Sequence, residues 1–86
     1  MFSVVWTDHA LDDLANLWVT VDPQTRNRIE AAVNWLNVAL QLDPNEVGES
    51  RPNNRRIAFA GPLVISFRVE GASSTVRVNH VSRYGR

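Results

Sequence analysis

The hydrophobic positions of this chain change period near residue 50, from a helical repeat to strict alternation. Phe2–Trp6 (FSVVW) is a short apolar run rich in β-branched and aromatic residues, which predicts a strand. Thr7 and Asp8 follow as helix N-caps, and Leu11, Leu14, Ala15, Leu17, Trp18 and Val21 then recur at three and four, the spacing of a helix with one buried stripe. Asp8, Asp12 and Asp13 fall in its first turns, where the helix dipole favours negative charge. Asp22-Pro23, an N-cap followed by proline at the first helical position, starts a second helix. Ile29, Ala32, Val33, Leu36 and Leu40 make its buried face, and Asp43-Pro44 ends it, because a residue before proline is disfavoured in helical geometry. With almost no linker between them, the helices must fold back as a hairpin.

Residues 44–54 (PNEVGESRPNN) read as a loop. Three alternating segments follow, Arg55–Ala60, Leu63–Glu70 and Thr75–Ser82, separated by turns at Gly61-Pro62 and Gly71–Ser74. The pattern predicts one α+β domain over residues 1–86, in the order β-α-α-β-β-β, with the helical hairpin on one face of a small, mainly antiparallel sheet. Alternation assigns Ile57, Phe59, Leu63, Ile65, Phe67, Val69, Val76 and Val78 to the face under the helices. It assigns Arg56, Ala58, Ala60, Val64, Ser66, Arg68, Glu70, Arg77, Asn79, Val81 and Arg83 to the opposite, open face.

Charge sharpens this picture. The chain is neutral overall, yet residues 1–50 carry two arginines against eight acids, a net of −6, and residues 51–86 carry seven arginines against Glu70 alone, a net of +6. All nine cations are arginine, whose planar fork suits bidentate contact with phosphate or carboxylate; a genomic arginine bias gives the same composition but not the segregation. Small residues among long cations on the open face suggest a shallow basic hollow able to hold a phosphate backbone, with a merely solvated sheet face as the alternative. Absence of cysteine excludes disulfides, thiolate metal sites and thiol nucleophiles, and suits a reducing cytosol. With only His9 and His80, no histidine-rich metal site is expected, carboxylate-bound ions being left open. No apolar run approaches a membrane span and MFSVVWTDHA lacks the basic start of a signal peptide, so a soluble, cytoplasmic protein is expected. A core this small gains from a partner.

Individual residues carry two readings each. His80 is placed by parity with Val76 and Val78 on the packed face, as a satisfied histidine, unless a bulge near Asn79 turns it over to serve as a proton carrier. Tyr84 either packs on the sheet end or stacks on a nucleotide. Trp6 and Trp18 read as core or interface, while Trp35 lies off the main stripe of its helix, where exposure marks a partner contact.

Four segments, VVWTDHALDDLANLW, RIEAAVNWLNVALQLDP, RRIAFAGPLVISFRVEG and VRVNHVSRYGR, resemble the RelE/ParE superfamily of toxins from bacterial type II toxin–antitoxin systems. The closing segment carries the resemblance furthest, with Val78, Val81, Tyr84, Gly85 and Arg86 in the family's pattern of spaced valines, an aromatic, glycine and a basic residue. The resemblance implies a growth-inhibiting toxin that maintains plasmids or chromosomal modules, with a cognate antitoxin, no cofactor and no metal. It also implies a homodimer or a toxin–antitoxin hetero-oligomer. Of the two activities known on this fold, the reading put first is metal-independent endoribonuclease cleavage of mRNA in the ribosome, with non-enzymatic inhibition of DNA gyrase as the alternative. The first needs phosphate neutralisation and a proton carrier. By position the resemblance carries over Arg55, Arg56, Arg83, Tyr84 and Arg86, while Arg68 sits farther along its strand than the family's usual arginine. With His80 as a proton carrier, Arg56, Arg68, His80, Arg83 and Tyr84 are the catalytic candidates, and Arg51, Arg55, Arg77 and Arg86 the binders of RNA phosphates. The chain departs from the family where a tyrosine and an arginine usually open the second strand of the meander; Leu63 and Val64 stand there instead. A third outcome is therefore a degenerate, non-toxic interaction module.

Overall fold

The computed structural model describes residues 1–84. The elements are β1 (Ser3–Trp6), α1 (Asp8–Thr20), α2 (Pro23–Leu42), β2 (Glu49–Arg51), β3 (Arg55–Ala60), β4 (Leu63–Glu70) and β5 (Thr75–Arg83). They form a helical hairpin against one five-stranded sheet in the order β1-β5-β4-β3-β2, in which β1 runs parallel to β5 and every other pair is antiparallel. The expected β-α-α-β-β-β order holds, with one addition: β2 is an edge strand inside the segment read as loop. It pairs with β3 through a tight turn in which Asn53 and Asn54 both take positive φ, a conformation asparagine tolerates better than other side chains. Three polar residues make an edge too short to invite further pairing.

Both helix starts follow the predicted caps. Thr7 Oγ1 accepts the Ala10 N–H at 3.2 Å and Asp22 Oδ1 accepts the Thr25 N–H at 3.0 Å. The buried face of α2 is the expected one, with Ile29, Ala32, Leu36 and Leu40 enclosed and Val33 half-buried. On α1 the stripe is rotated. It runs through Ala10, Leu14, Leu17 and on to Val21, while Leu11 and Trp18 are exposed, because α1 packs chiefly along β5. Among the described residues no helix is long and apolar enough to cross a membrane.

The core sits between α2, β4 and β5. Leu63, Ile65, Phe67, Val76 and Val78 lie within 1% of complete burial together with Ile29, Leu36 and Leu40, each contributing about 1.5–3 kcal/mol on leaving water.

Two features correct the predicted parity. In β3 the small residues face inward: Ala58 and Ala60 are buried, whereas Phe59 is 53% exposed and Ile57 half-buried. This strand is apolar on both faces, so hydrophobicity alone could not orient it; α2 runs close to its end, with Ala32 near the Gly61 turn, and the small Ala58 and Ala60 face the buried side. In β5 a bulge breaks the register. Phe67 pairs with Val78 but Ser66 pairs with His80, leaving Asn79 as the extra residue. Beyond it every residue changes side: Val81 is buried, Arg83 pairs with buried Leu63 on the helix side, and His80 joins Ser66 on the open side.

Candidate functional site

The register assembles a feature that the alternation concealed. Arg51 pairs with Arg55, Arg55 with Arg68, and Arg68 with Arg77, so four arginines lie in one cross-strand row over β2, β3, β4 and β5. At about 4.8 Å per strand the row spans about 14 Å. Like charges directly opposite destabilise a sheet, so the row needs counter-charges. Glu49 bonds Arg51 at 3.1 Å at one end, and Glu70 bonds Arg77 at 3.0 Å at the other. Between them, Arg55 reaches only the Pro52 carbonyl at 3.4 Å, and Arg68 has no hydrogen-bond or ion-pair partner among the described residues. All four are exposed. The array is suited to phosphate or carboxylate groups arriving from outside.

The predicted catalytic residues do not converge on this row. Arg56 lies on the helix side, opposite Phe67, and its guanidinium donates to the carbonyls of Val47 (Nε, 2.9 Å) and Gly48 (Nη2, 3.0 Å). It pins the segment entering β2. Arg83, also on the helix side, lies toward the interhelical turn, where its charge adds to the pull on Asp22. The Asp22 carboxyl is held below its ordinary value first by its hydrogen bonding to Thr25, with Arg83 a lesser cause. Tyr84 lies against Phe59, ring centroids 5.0 Å apart and edge-on, with its backbone N–H on the Pro62 carbonyl at 2.8 Å. Of the five, Arg68 and His80 stand on neighbouring rungs of the open face, and Tyr84 reaches that face at its other end, against Phe59. Of the predicted phosphate binders, Arg51, Arg55 and Arg77 stand in the row; Arg86 lies outside the described residues.

His80 takes the bulged alternative, and its ring is drawn toward α1. Its Nδ1 lies 2.7 Å from Asp13 Oδ2 and 3.2 Å from Nε2 of His9, and the two imidazoles stack with centroids 5.2 Å apart. Asp13 Oδ2 also accepts the Val81 backbone N–H at 3.0 Å, on the stretch of β5 that extends past its pairing with β1. In the sequence the acids of α1 read only as helix-dipole partners, and His9 and His80 lie 71 residues apart. The readable signal was His9 and Asp13 at i and i+4, one turn apart on the same face.

A groove of about 460 Å³ runs beside α2, lined by Arg28, Ala31, Ala32, Trp35, Phe59, Ala60 and Gly61. Trp35 is 56% exposed on its wall, as its position off the helix stripe implied. Trp6 instead donates its Nε1–H to Asn37 Oδ1 at 2.7 Å, fastening β1 to α2.

Comparison with known proteins gives a consistent result. Residues 4–84 match the family model for the ParE toxin of the type II toxin–antitoxin system parDE. No curated protein matches the chain in sequence. Among solved structures, the chain is similar to one in the toxin–antitoxin complex RelBE2 from Mycobacterium tuberculosis, at 22% identity, covering 99% of this chain and 93% of that one, with a TM-score of 0.75. It is also similar to a chain of the chromosomal ParDE system from P. aeruginosa, at 23% identity, 96% coverage of both chains and a TM-score of 0.70. The isolated E. coli RelE toxin shares the fold at 15% identity, covering 100% of this chain and 87% of that one, with a TM-score of 0.66.

Proposed function

The chain belongs to the ParE toxin family of type II toxin–antitoxin systems, within the RelE/ParE superfamily, and from that premise we propose that it arrests growth by binding its target rather than by cutting RNA, with DNA gyrase as that target. The observation that carries this reading is the dispersal of the five residues expected to cleave RNA. Arg56 is spent on backbone carbonyls, Arg83 is turned to the helix side, and Tyr84 rests on Phe59. Phosphate neutralisation and proton transfer must act on the same bond, and general acid–base catalysis requires the proton carrier within hydrogen-bond reach of it. A binding surface has no such requirement; the exposed arginine row suffices for it.

A cognate antitoxin holds the toxin inactive in this proposal. Two surfaces suit it: the arginine row, which takes acidic side chains, and the groove beside Trp35, which takes an apolar segment. The protein then acts inside the cell, in the cytoplasm, as a toxin–antitoxin hetero-oligomer until the antitoxin is lost.

A second reading, ribosome-dependent mRNA cleavage, is favoured by one observation: His80 stands on the rung next to Arg68 on the open face. Induction in growing cells tests for toxicity. Purified gyrase with plasmid DNA, and translating ribosomes with mRNA, then separate the mechanisms. The proposal expects trapped DNA breaks, intact mRNA, and at least a tenfold loss of effect in Arg68→Ala/Arg77→Ala. Cut mRNA without DNA breaks supports the second reading and overturns the first, and unimpaired growth overturns both.

A further inference from the structure

We propose that His9, Asp13 and His80 bind a divalent transition-metal ion of the zinc class, clasping the start of α1 to the bulged part of β5. This goes beyond the toxin reading and does not depend on it. One donor atom from each residue faces the others: His80 Nδ1 and Asp13 Oδ2 at 2.7 Å, His9 Nε2 and His80 Nδ1 at 3.2 Å, and His9 Nε2 and Asp13 Oδ2 at 3.6 Å. Around a tetrahedral ion with bonds of about 2.0–2.1 Å, neighbouring ligand atoms stand about 3.3 Å apart. The three separations bracket that value, so an ion enters with side-chain movements of about half an ångström.

The fold prepares this geometry by independent means. His9 and Asp13 are one helical turn apart on α1. His80, 71 residues from His9, reaches them because Asn79 is the extra residue of the bulge; in regular register it would point with Val78 into the core. The Val81 N–H bonds Asp13 at 3.0 Å and holds the carboxylate in place, as groups behind metal ligands do. The His9 and His80 side chains are 68% and 56% exposed against 20% for Asp13, so the ion has an open approach and keeps water at its fourth position.

The donor set selects the metal. Two imidazoles and one carboxylate suit zinc, nickel or copper, whereas magnesium and calcium prefer oxygen donors throughout. Two imidazole nitrogens aimed at each other across 3.2 Å also need a proton or a cation between them, and an ion joining both to Asp13 supplies it. Bound metal stabilises the folded chain by RT ln(1 + M/Kd), M being the free metal concentration, since the unfolded chain does not gather the three ligands.

The test titrates the full, tag-free chain with zinc chloride by calorimetry, and follows thermal unfolding with zinc or magnesium in excess. One zinc ion per chain and a rise in melting temperature with zinc but not magnesium are expected. His9→Gln and His80→Gln should each weaken binding at least tenfold and abolish the zinc-dependent rise. Both replaced side chains are solvent-exposed, so the metal-free melting temperature of His9→Gln reports that it has folded. Absence of saturable one-to-one binding, binding unchanged in the two variants, or equal stabilisation by magnesium would each overturn the proposal.

Discussion

Arg68 and Arg77 face each other directly across the β4–β5 ladder, two guanidiniums on one side of the sheet, with Glu70 the one acid paired to them among the described residues. Arg55 faces Arg68 from the other flank. Opposed like charges cost about 0.2–1 kcal/mol per pair, so Arg68→Gln, which relieves two such pairs, should raise the melting temperature by about 2–16 °C at low salt. Added sodium chloride should stabilise the parent chain more than the variant. A variant that melts lower than the parent at every ionic strength would show that the row is not held against repulsion.

Gly48 sits at positive φ, and a Cβ there would overlap the Ile57 carbonyl. Gly48→Ala should therefore cost about 3 kcal/mol or more, through left-handed strain and displacement of the β2–β3 pair. Urea unfolding measures the loss. Because Arg56 donates to the Gly48 carbonyl, backbone amide exchange should quicken in residues 47–57 ahead of the core.

Asp22 gives the fold a specific acid response. Its carboxyl is lowered in the folded state, chiefly by hydrogen bonding to Thr25, so its contribution is complete above the unfolded value near pH 4 and disappears as pH falls through the lower folded value. Asparagine caps helices comparably. Asp22→Asn should consequently change stability little at pH 7 and lose less on acidification between about pH 5 and pH 2. Parallel acid limbs for the two proteins in urea unfolding would contradict the assignment.

Trp35 and Phe59 present large apolar surfaces to solvent on the α2 groove. Trp35→Ala should shift folding stability by less than about 0.5 kcal/mol, as surface substitutions do. If the groove receives the antitoxin, as proposed above, the same change should weaken that complex at least tenfold in a binding titration. Unchanged affinity would move the antitoxin elsewhere.

Much of the fold was legible because its signals are local. Proline and cap residues marked both starts of the hairpin, and the 29-32-36-40 spacing of α2 survived intact. What the alternation could not disclose came from non-local causes. One inserted residue, Asn79, reversed the sides of His80, Val81 and Arg83; the sequence left room for a bulge there, but alternation alone could not choose it. Ile57, Ala58, Phe59 and Ala60 offer apolar side chains to both faces of β3, so the choice fell to the space beneath α2. The arginine row likewise emerges only from register: Arg51, Arg55, Arg68 and Arg77 have no periodic relation in sequence and meet because four strands are aligned. The expectation that the final arginines share one uncovered surface holds for Arg68 and Arg77 and fails for Arg56 and Arg83.

The parallel pairing of β1 with β5 sets the timing of assembly. Residues 3–6 pair with residues 75–78, and β5 is also what joins β1 to the rest of the sheet. Closing so long a loop is slow beside forming the helical hairpin or the β2–β4 meander, so their apolar faces stay unsealed until β5 docks. The arginine row, whose last member is Arg77 on β5, is therefore complete only once that strand has docked.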